Sequence, residues 1–206
     1  GPRQLTLMVR QNAQRLAQIV DDVLNISRVQ HEVNAPTPAL LDLSASVRQV
    51  CTDWSQQTAC AQRLHLDLDV PPRQVAFEPD HLRRVLVNLL DNALRYASQQ
   101  PGAIRVLTDL SPAGLPRLRV WSDGAPLDQG VQRHLFEPFF SSESRSSGLG
   151  LYICRELCER HGALIGYQRA PWRAVTGAAE GNEFFVLFHA RGGAAAHAAA
   201  FATIPA

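Results

Sequence analysis

Two asparagines one helical turn apart, Asn88 and Asn92, and a Gly-Leu-Gly run at Gly148–Gly150 have the types and spacing to do chemistry. An i,i+4 spacing puts both amides on one face of a helix. Amide oxygens suit Mg²⁺, a hard cation that keeps several waters and takes few protein ligands. In EPFFSSESRSSGLGL, Glu137–Leu151, an aromatic-and-proline block passes through a Ser-rich loop into Gly148 and Gly150, which remove side chains where backbone must approach something closely. A helical pattern follows at once. The N-terminus of such a helix offers unpaired N–H groups and a positive dipole end, which together suit a phosphate. Between the two blocks lies a turn signal, Ser122-Asp123-Gly124. Taken singly each signal is weak, since paired asparagines also occur as solvated residues of an amphipathic helix. Their order along one chain gives them weight.

That order, with Asn88-Leu-Leu-Asp-Asn92-Ala-Leu-Arg95-Tyr96 first, resembles the N, G1, F and G2 boxes of the sensor histidine kinase ATP-binding domain. The domain is part of the wider superfamily of gyrase, Hsp90 and MutL. The resemblance covers residues 36–190, and LFEPFFSSESRSSGLGLYICRELCERHGALI is most like the type IV pilus and nitrogen-regulation class of sensor kinases. It implies ATP and Mg²⁺ as ligands, with Asn92 on the metal and Asn88 near the metal's water shell or the γ-phosphate, and it makes Asn88 and Arg95 the catalytic candidates. Arg95 matches a basic residue that meets the phosphates, and Tyr96 one that lines the nucleotide site. Ser147, Gly148, Leu149 and Gly150 match the segment that offers backbone N–H groups, or the Ser147 hydroxyl, to the triphosphate, although Leu149 and Leu151 read better as packing residues. Phe136, Pro138, Phe139 and Phe140 match the F box, and Ser141–Ser147 the lid, with Arg145 in reach of a phosphate.

The chain departs from that family at the G1 box. Where Asp-x-Gly-x-Gly is usual, the sequence has Val120-Trp-Ser122-Asp123-Gly124-Ala-Pro126-Leu. Anchoring on Gly124 puts Ser122 at the position of the aspartate that accepts from the adenine amine, and Pro126 at the second glycine. Asp123 is one residue off and points the other way on an extended strand, unless a local bulge returns it. Serine in place of a carboxylate loses a charge-assisted bond of about 1–2 kcal/mol, roughly ten- to thirtyfold in affinity.

These residues need elements to hold them. Periodicity predicts helices over residues 44–63, with Ser44 or Ser46 as N-cap, from Pro79–Asp80 to Ala97, over 128–135 and over 149–161. Strands are expected at 64–70, 75–77, 103–110, 117–120, 164–168 and 184–188. Together these give an α/β fold, a two-layer sandwich of a mixed sheet and three helices, the Bergerat-type ATP-binding architecture by resemblance. Residues 4–30 read as one long helix with Leu5, Val9, Asn12, Leu16, Ile19, Val23 and Ile26 in a heptad seam. RLAQIVDDVLNISR within it is similar to the second helix of the dimerisation and phosphotransfer hairpin; the alternative is an amphipathic helix docked on its own domain. The domain reading is therefore 3–35 partial hairpin, 36–190 ATP-binding domain and 191–206 mobile Ala-rich tail, with Pro36 and Pro38 marking the linker.

His31-Glu-Val-Asn-Ala-Pro36 superficially matches a phosphoacceptor box. It follows the second-helix signature, too few residues separate it from Asn92 to fit the rest of a hairpin, and Pro36 and Pro38 suppress the helix that such a histidine needs. His31 reads as a helix-end residue, so the acceptor histidine is expected outside the chain and the chain alone is not expected to autophosphorylate. A net charge of +1 supplies no global attraction to nucleic acid. The four cysteines show no paired-ligand motif and read as buried, reduced thiols. Gly1-Pro2 reads as the remnant of a cleaved tag. The resemblance implies a response regulator receiver domain and the protein's own dimerisation and phosphotransfer domain as partners. It also implies a cytoplasmic domain of an inner-membrane-anchored bacterial protein.

Overall fold

Alternation in steps of two builds the sheet. Leu64, Leu66 and Leu68 of β2 (Leu64–Leu68) face inward while His65 and Asp67 face out. The same period runs through β4 (Ile104–Leu110) and β5 (Pro116–Ser122), where Ile104, Val106, Leu118 and Val120 are buried in one layer. With β6 (Leu164–Ala174) and β7 (Gly177–Leu187) these strands form a five-stranded sheet in the order β2-β4-β5-β7-β6. The β2–β4 pair is parallel and the other three are antiparallel. The computed structural model describes residues 2–31, 38–69, 71–140, 147–174 and 177–189.

Three helices cover one face: α2 (Leu43–Thr58), α3 (Pro79–Tyr96) and α5 (Gly150–Arg160). Leu82, Val85, Leu86, Leu89, Leu90 and Ala93 form the stripe by which α3 enters the core. Cys51, Cys154 and Cys158 are buried there, and burial pushes each thiol up, Cys51 to about 12, so these are packing groups held protonated. The arrangement is the two-layer α/β sandwich expected from the sequence.

Several boundaries differ from expectation. The N-cap of α2 is Asp42, whose carboxylate accepts from Ala45 N at 3.0 Å. Ser44 is instead buried and shares a 2.8 Å hydrogen bond with Thr108 of β4, joining helix to sheet. The helix ends at Thr58, and a short 3₁₀ turn at Ala61–Arg63 leads to β2. The strand expected at 75–77 is β3 (Gln74–Ala76), and it pairs antiparallel with a strand unforeseen in the sequence, β1 (Leu40–Asp42), as a separate two-stranded sheet. The β6–β7 hairpin is much longer than its apolar alternation suggests. Trp121 donates from Nε1 to Ala170 O at 2.9 Å and packs on Trp172, and Arg105 stacks on Trp172 at 4.6 Å. Pro171 is tolerated because β6 is an edge strand.

The outer face of the sheet sets ion pairs beside Leu107, Trp121 and Phe185. Arg117 binds Asp109 through two 2.8 Å bonds, and Arg119 bridges Asp109 and the fully buried Glu183. Short α4 (Gln129–His134), capped by Asp128, crosses from β5 towards α5.

The N-terminal helix α1 (Pro2–His31) packs against α5 along one edge, where Ile19 is half-buried and Asp22 is 8% exposed. Its heptad positions Leu5, Val9, Leu16 and Val23 are exposed by 69%, 62%, 63% and 44%. Docking on the domain and an outward seam thus coexist. The side chains of Ile26 and His31, the linker at 32–37, most of the lid and the tail lie outside the described residues.

Candidate functional site

The second half of α3 and the start of α5 face each other above the end of β5 and the middle of β7, leaving a cleft of about 290 Å³. Asn88, Asn92, Arg95 and Tyr96 line it in successive turns of α3. Asn88 donates from Nδ2 to Arg84 O at 3.0 Å, which leaves its Oδ1 turned to α5. A Cβ on Gly150 would lie 3.0 Å from that oxygen, so glycine permits the close approach. Gly148 has φ +69°, and a Cβ there would be 2.7 Å from the carbonyl carbon of Phe139. Phe139 and Phe140 thus meet Gly148 in one tight backbone contact.

Ser147 Oγ accepts from Leu149 N at 3.2 Å and donates to Asp22 Oδ2 of α1 at 2.6 Å. Gln18 supports the other oxygen of Asp22 at 3.0 Å. Helix α5 begins without a side-chain cap and without an acidic residue in its first turn, so its N-terminal N–H groups remain for a ligand at the cleft. Leu149 is fully buried and packs in the core, away from the cleft.

At the opposite end the cleft is floored by Ser122, Asn182 and Phe184 and walled by Leu127, Val131 and Leu135. Ser122 and Asn182 are direct partners across β5 and β7. No bulge returns Asp123 to the cleft: its carboxylate accepts from Ser98 N at 2.8 Å and Ser98 Oγ at 2.5 Å, and it points the other way, as alternation on β5 requires. Gly124 does not line the cleft either. A Cβ there would stand 3.1 Å from both Tyr96 O and Asn182 Nδ2, so Gly124 lets the end of β5 reach the end of α3.

A fold with this connectivity and cleft has known relatives. The profile described as histidine kinase-, DNA gyrase B-, and HSP90-like ATPase matches residues 77–191, more than half of the chain. The chain belongs to that family. Among curated relatives, the sensor protein kinase PilS of Pseudomonas aeruginosa is 34% identical over 169 residues, 81% of this chain and 31% of that protein. The sensor histidine kinase ZraS of Klebsiella oxytoca is 28% identical over 177 residues, 84% of this chain and 36% of that protein. The chain thus spans about a third of the length of these relatives. Full-length ShkA, solved in complex with AMPPNP, superposes with a TM-score of 0.68 at 21% identity over 91% of this chain and 39% of that one. The histidine kinase AdeS of Acinetobacter baumannii gives 0.65 at 21% identity over 91% of this chain and 85% of that one. At such identity these two show the fold.

For a member of this ATPase family, the α3 face is chemically suited to Mg²⁺. Asn88 presents an oriented amide oxygen, and the Asn92 amide makes no hydrogen bond to a described residue. Both are neutral hard donors that leave room for water and phosphate oxygens. The carboxylates that line the cleft among the described residues are otherwise engaged: Asp91 accepts from Trp54 Nε1 at 2.8 Å, and Asp22 is held by Gln18 and Ser147. Sequence reasoning missed Asn182, whose strand lacked clear alternation, and Asp22, whose position depends on how α1 docks.

Proposed function

We propose that this chain is the ATP-binding catalytic part of a two-component sensor histidine kinase. It would transfer the γ-phosphoryl group of Mg·ATP to a histidine outside these residues, and an aspartate of a response regulator receiver domain would then take it up. The observation that supports this best is the opposition of Asn88, Asn92 and Arg95 on α3 to the uncapped N-terminus of α5 across one cleft. In this reading Arg95 and the N–H groups of Gly148 and Gly150 bind and orient the triphosphate, and the apolar end takes the base. Catalysis is positioning and charge stabilisation rather than covalent chemistry by the domain. Mg²⁺ neutralises phosphate charge when bound, and the amide oxygens of Asn92 and Asn88 are the groups that would hold it.

Residues 3–35 are proposed as one helix of the dimerisation hairpin, 36–190 as the ATP-binding domain and 191–206 as a tail. The intact protein is proposed to dimerise and to sit on the cytoplasmic side of the inner membrane. Among the described residues no helix is long and apolar enough to cross a membrane.

Ser122 favours a second reading, a degenerate domain with weak or no ATP binding that acts as a signalling scaffold. Calorimetric titration with a non-hydrolysable ATP analogue, with and without Mg²⁺, separates the two. Mg²⁺-dependent binding in the micromolar to submillimolar range is expected, and its absence at millimolar ligand would favour the scaffold.

A further inference from the structure

The base end of the cleft carries a further inference, which rests on reading the cleft as a nucleotide site. Its free hydrogen-bonding capacity can be counted. Asn182 Oδ1 accepts from Tyr167 Oη at 2.8 Å and from Arg169 at 3.1 Å, which fills both lone-pair positions. Asn182 Nδ2 donates to Ala125 O at 2.8 Å, leaving one amide N–H. The Ser122 hydroxyl, beside it across the strands, makes no hydrogen bond to a described residue and can turn as donor or acceptor. Asp123, the neighbouring carboxylate, is committed to Ser98. Leu127, Leu135 and Phe184 shape a slot for a planar ring and read no hydrogen-bond pattern.

Purines differ at the edge that would meet these groups. Adenine offers an amine donor beside a ring-nitrogen acceptor, and guanine a carbonyl acceptor beside a ring N–H donor. A carboxylate only accepts, so it favours the amine and repels the carbonyl. A hydroxyl accepts from the amine or donates to the carbonyl, and the remaining Asn182 N–H donates to either the adenine ring nitrogen or the guanine carbonyl, which leaves the guanine ring N–H without an acceptor among these groups, a difference of about tenfold in favour of adenine. We propose that this cleft takes purine nucleoside triphosphates with little discrimination between adenine and guanine, and that Ser122 sets this tolerance.

The test is calorimetric titration of the chain with non-hydrolysable ATP and GTP analogues in Mg²⁺, with inorganic triphosphate as a base-free control. The two analogues are expected to bind within about tenfold of each other. Ser122→Ala should weaken both by a similar factor, about three- to tenfold, and Ser122→Asp should raise the preference for the ATP analogue by about tenfold or more. Circular dichroism checks that each variant is folded; if Ser122→Asp is not, the wild-type ratio and Ser122→Ala decide. A preference above about a hundredfold for the ATP analogue in the wild type would overturn the tolerance and leave the nucleotide reading intact. Near-equal binding unchanged by Ser122→Ala would overturn the role of Ser122. Failure of both analogues to bind would overturn the tolerance and the nucleotide reading together.

Discussion

Gly148 has little freedom to change in this structure. Its φ of +69° disfavours any side chain, and an added Cβ would press on Phe139 and Phe140 backbone atoms at 2.7 to 2.9 Å, which cannot give way as a flexible side chain would. Gly114 is the natural control, with φ +76° but nothing within 4 Å of an added Cβ. Gly148→Ala should cost about 2–4 kcal/mol in urea unfolding and abolish binding of an ATP analogue, whereas Gly114→Ala should cost about 1 kcal/mol and leave binding unchanged. Equal losses at the two positions would contradict this account.

At the level of elements, α3 and α5 are joined at the ends remote from the cleft by a histidine pair. His81 Nδ1 and His161 Nε2 lie 2.8 Å apart, His161 stacks on Phe77 at 4.2 Å, and Glu78 Oε2 lies 3.9 Å from His81. Burial, then the charges of His81 and Arg160, lower the His161 pKa from 6.5 to about 4, against an opposing pull from Glu78. A base whose folded pKa is depressed is neutral in both states above pH 6.5, so its full contribution is present there. As pH falls from 6.5 towards 4, the unfolded chain takes up the proton first and the folded state loses stability. Because His161 is only half-buried, the loss after solvent screening should be about 1–2 kcal/mol. Chemical unfolding between pH 7.5 and 4.5 should show this decline, and His161→Gln should flatten it. A parallel decline in the variant would assign the pH dependence to other groups.

Across the whole molecule, α1 is the element with two claims on it. One edge is anchored through Asp22 to Ser147 at the mouth of the cleft, while Leu5, Val9, Leu16 and Val23 stand exposed at heptad spacing. The same seam recurs on a second copy, and pairing would remove it from water. The chain is expected to self-associate in sedimentation equilibrium, and Leu16→Glu should raise the dimer dissociation constant at least about tenfold. A wild-type chain that stays monomeric at about 100 µM, where seam burial of this size should already register, would refute the pairing.

Much of this protein was decided by local pattern. The spacing of Asn88, Asn92 and Arg95 places them on one face wherever α3 forms, and Gly148-Leu-Gly150 had to open α5 because little else suits a positive φ and a close approach. Period-two alternation likewise announced β2, β4 and β5. Tertiary contact decided the rest. The β6–β7 hairpin is extended by Trp121, Trp172 and Arg105, which come together only once the sheet is assembled. Ser44, a plausible cap by sequence, is claimed by Thr108 from 64 residues away. Asp123 is taken by Ser98, and Asn182 comes to lie beside Ser122 through strand register. Hydrogen bonds between residues distant in sequence leave no periodic trace, so the sequence determined which residues face the cleft from each helix, and only the folded structure decided which polar atoms in it remain free.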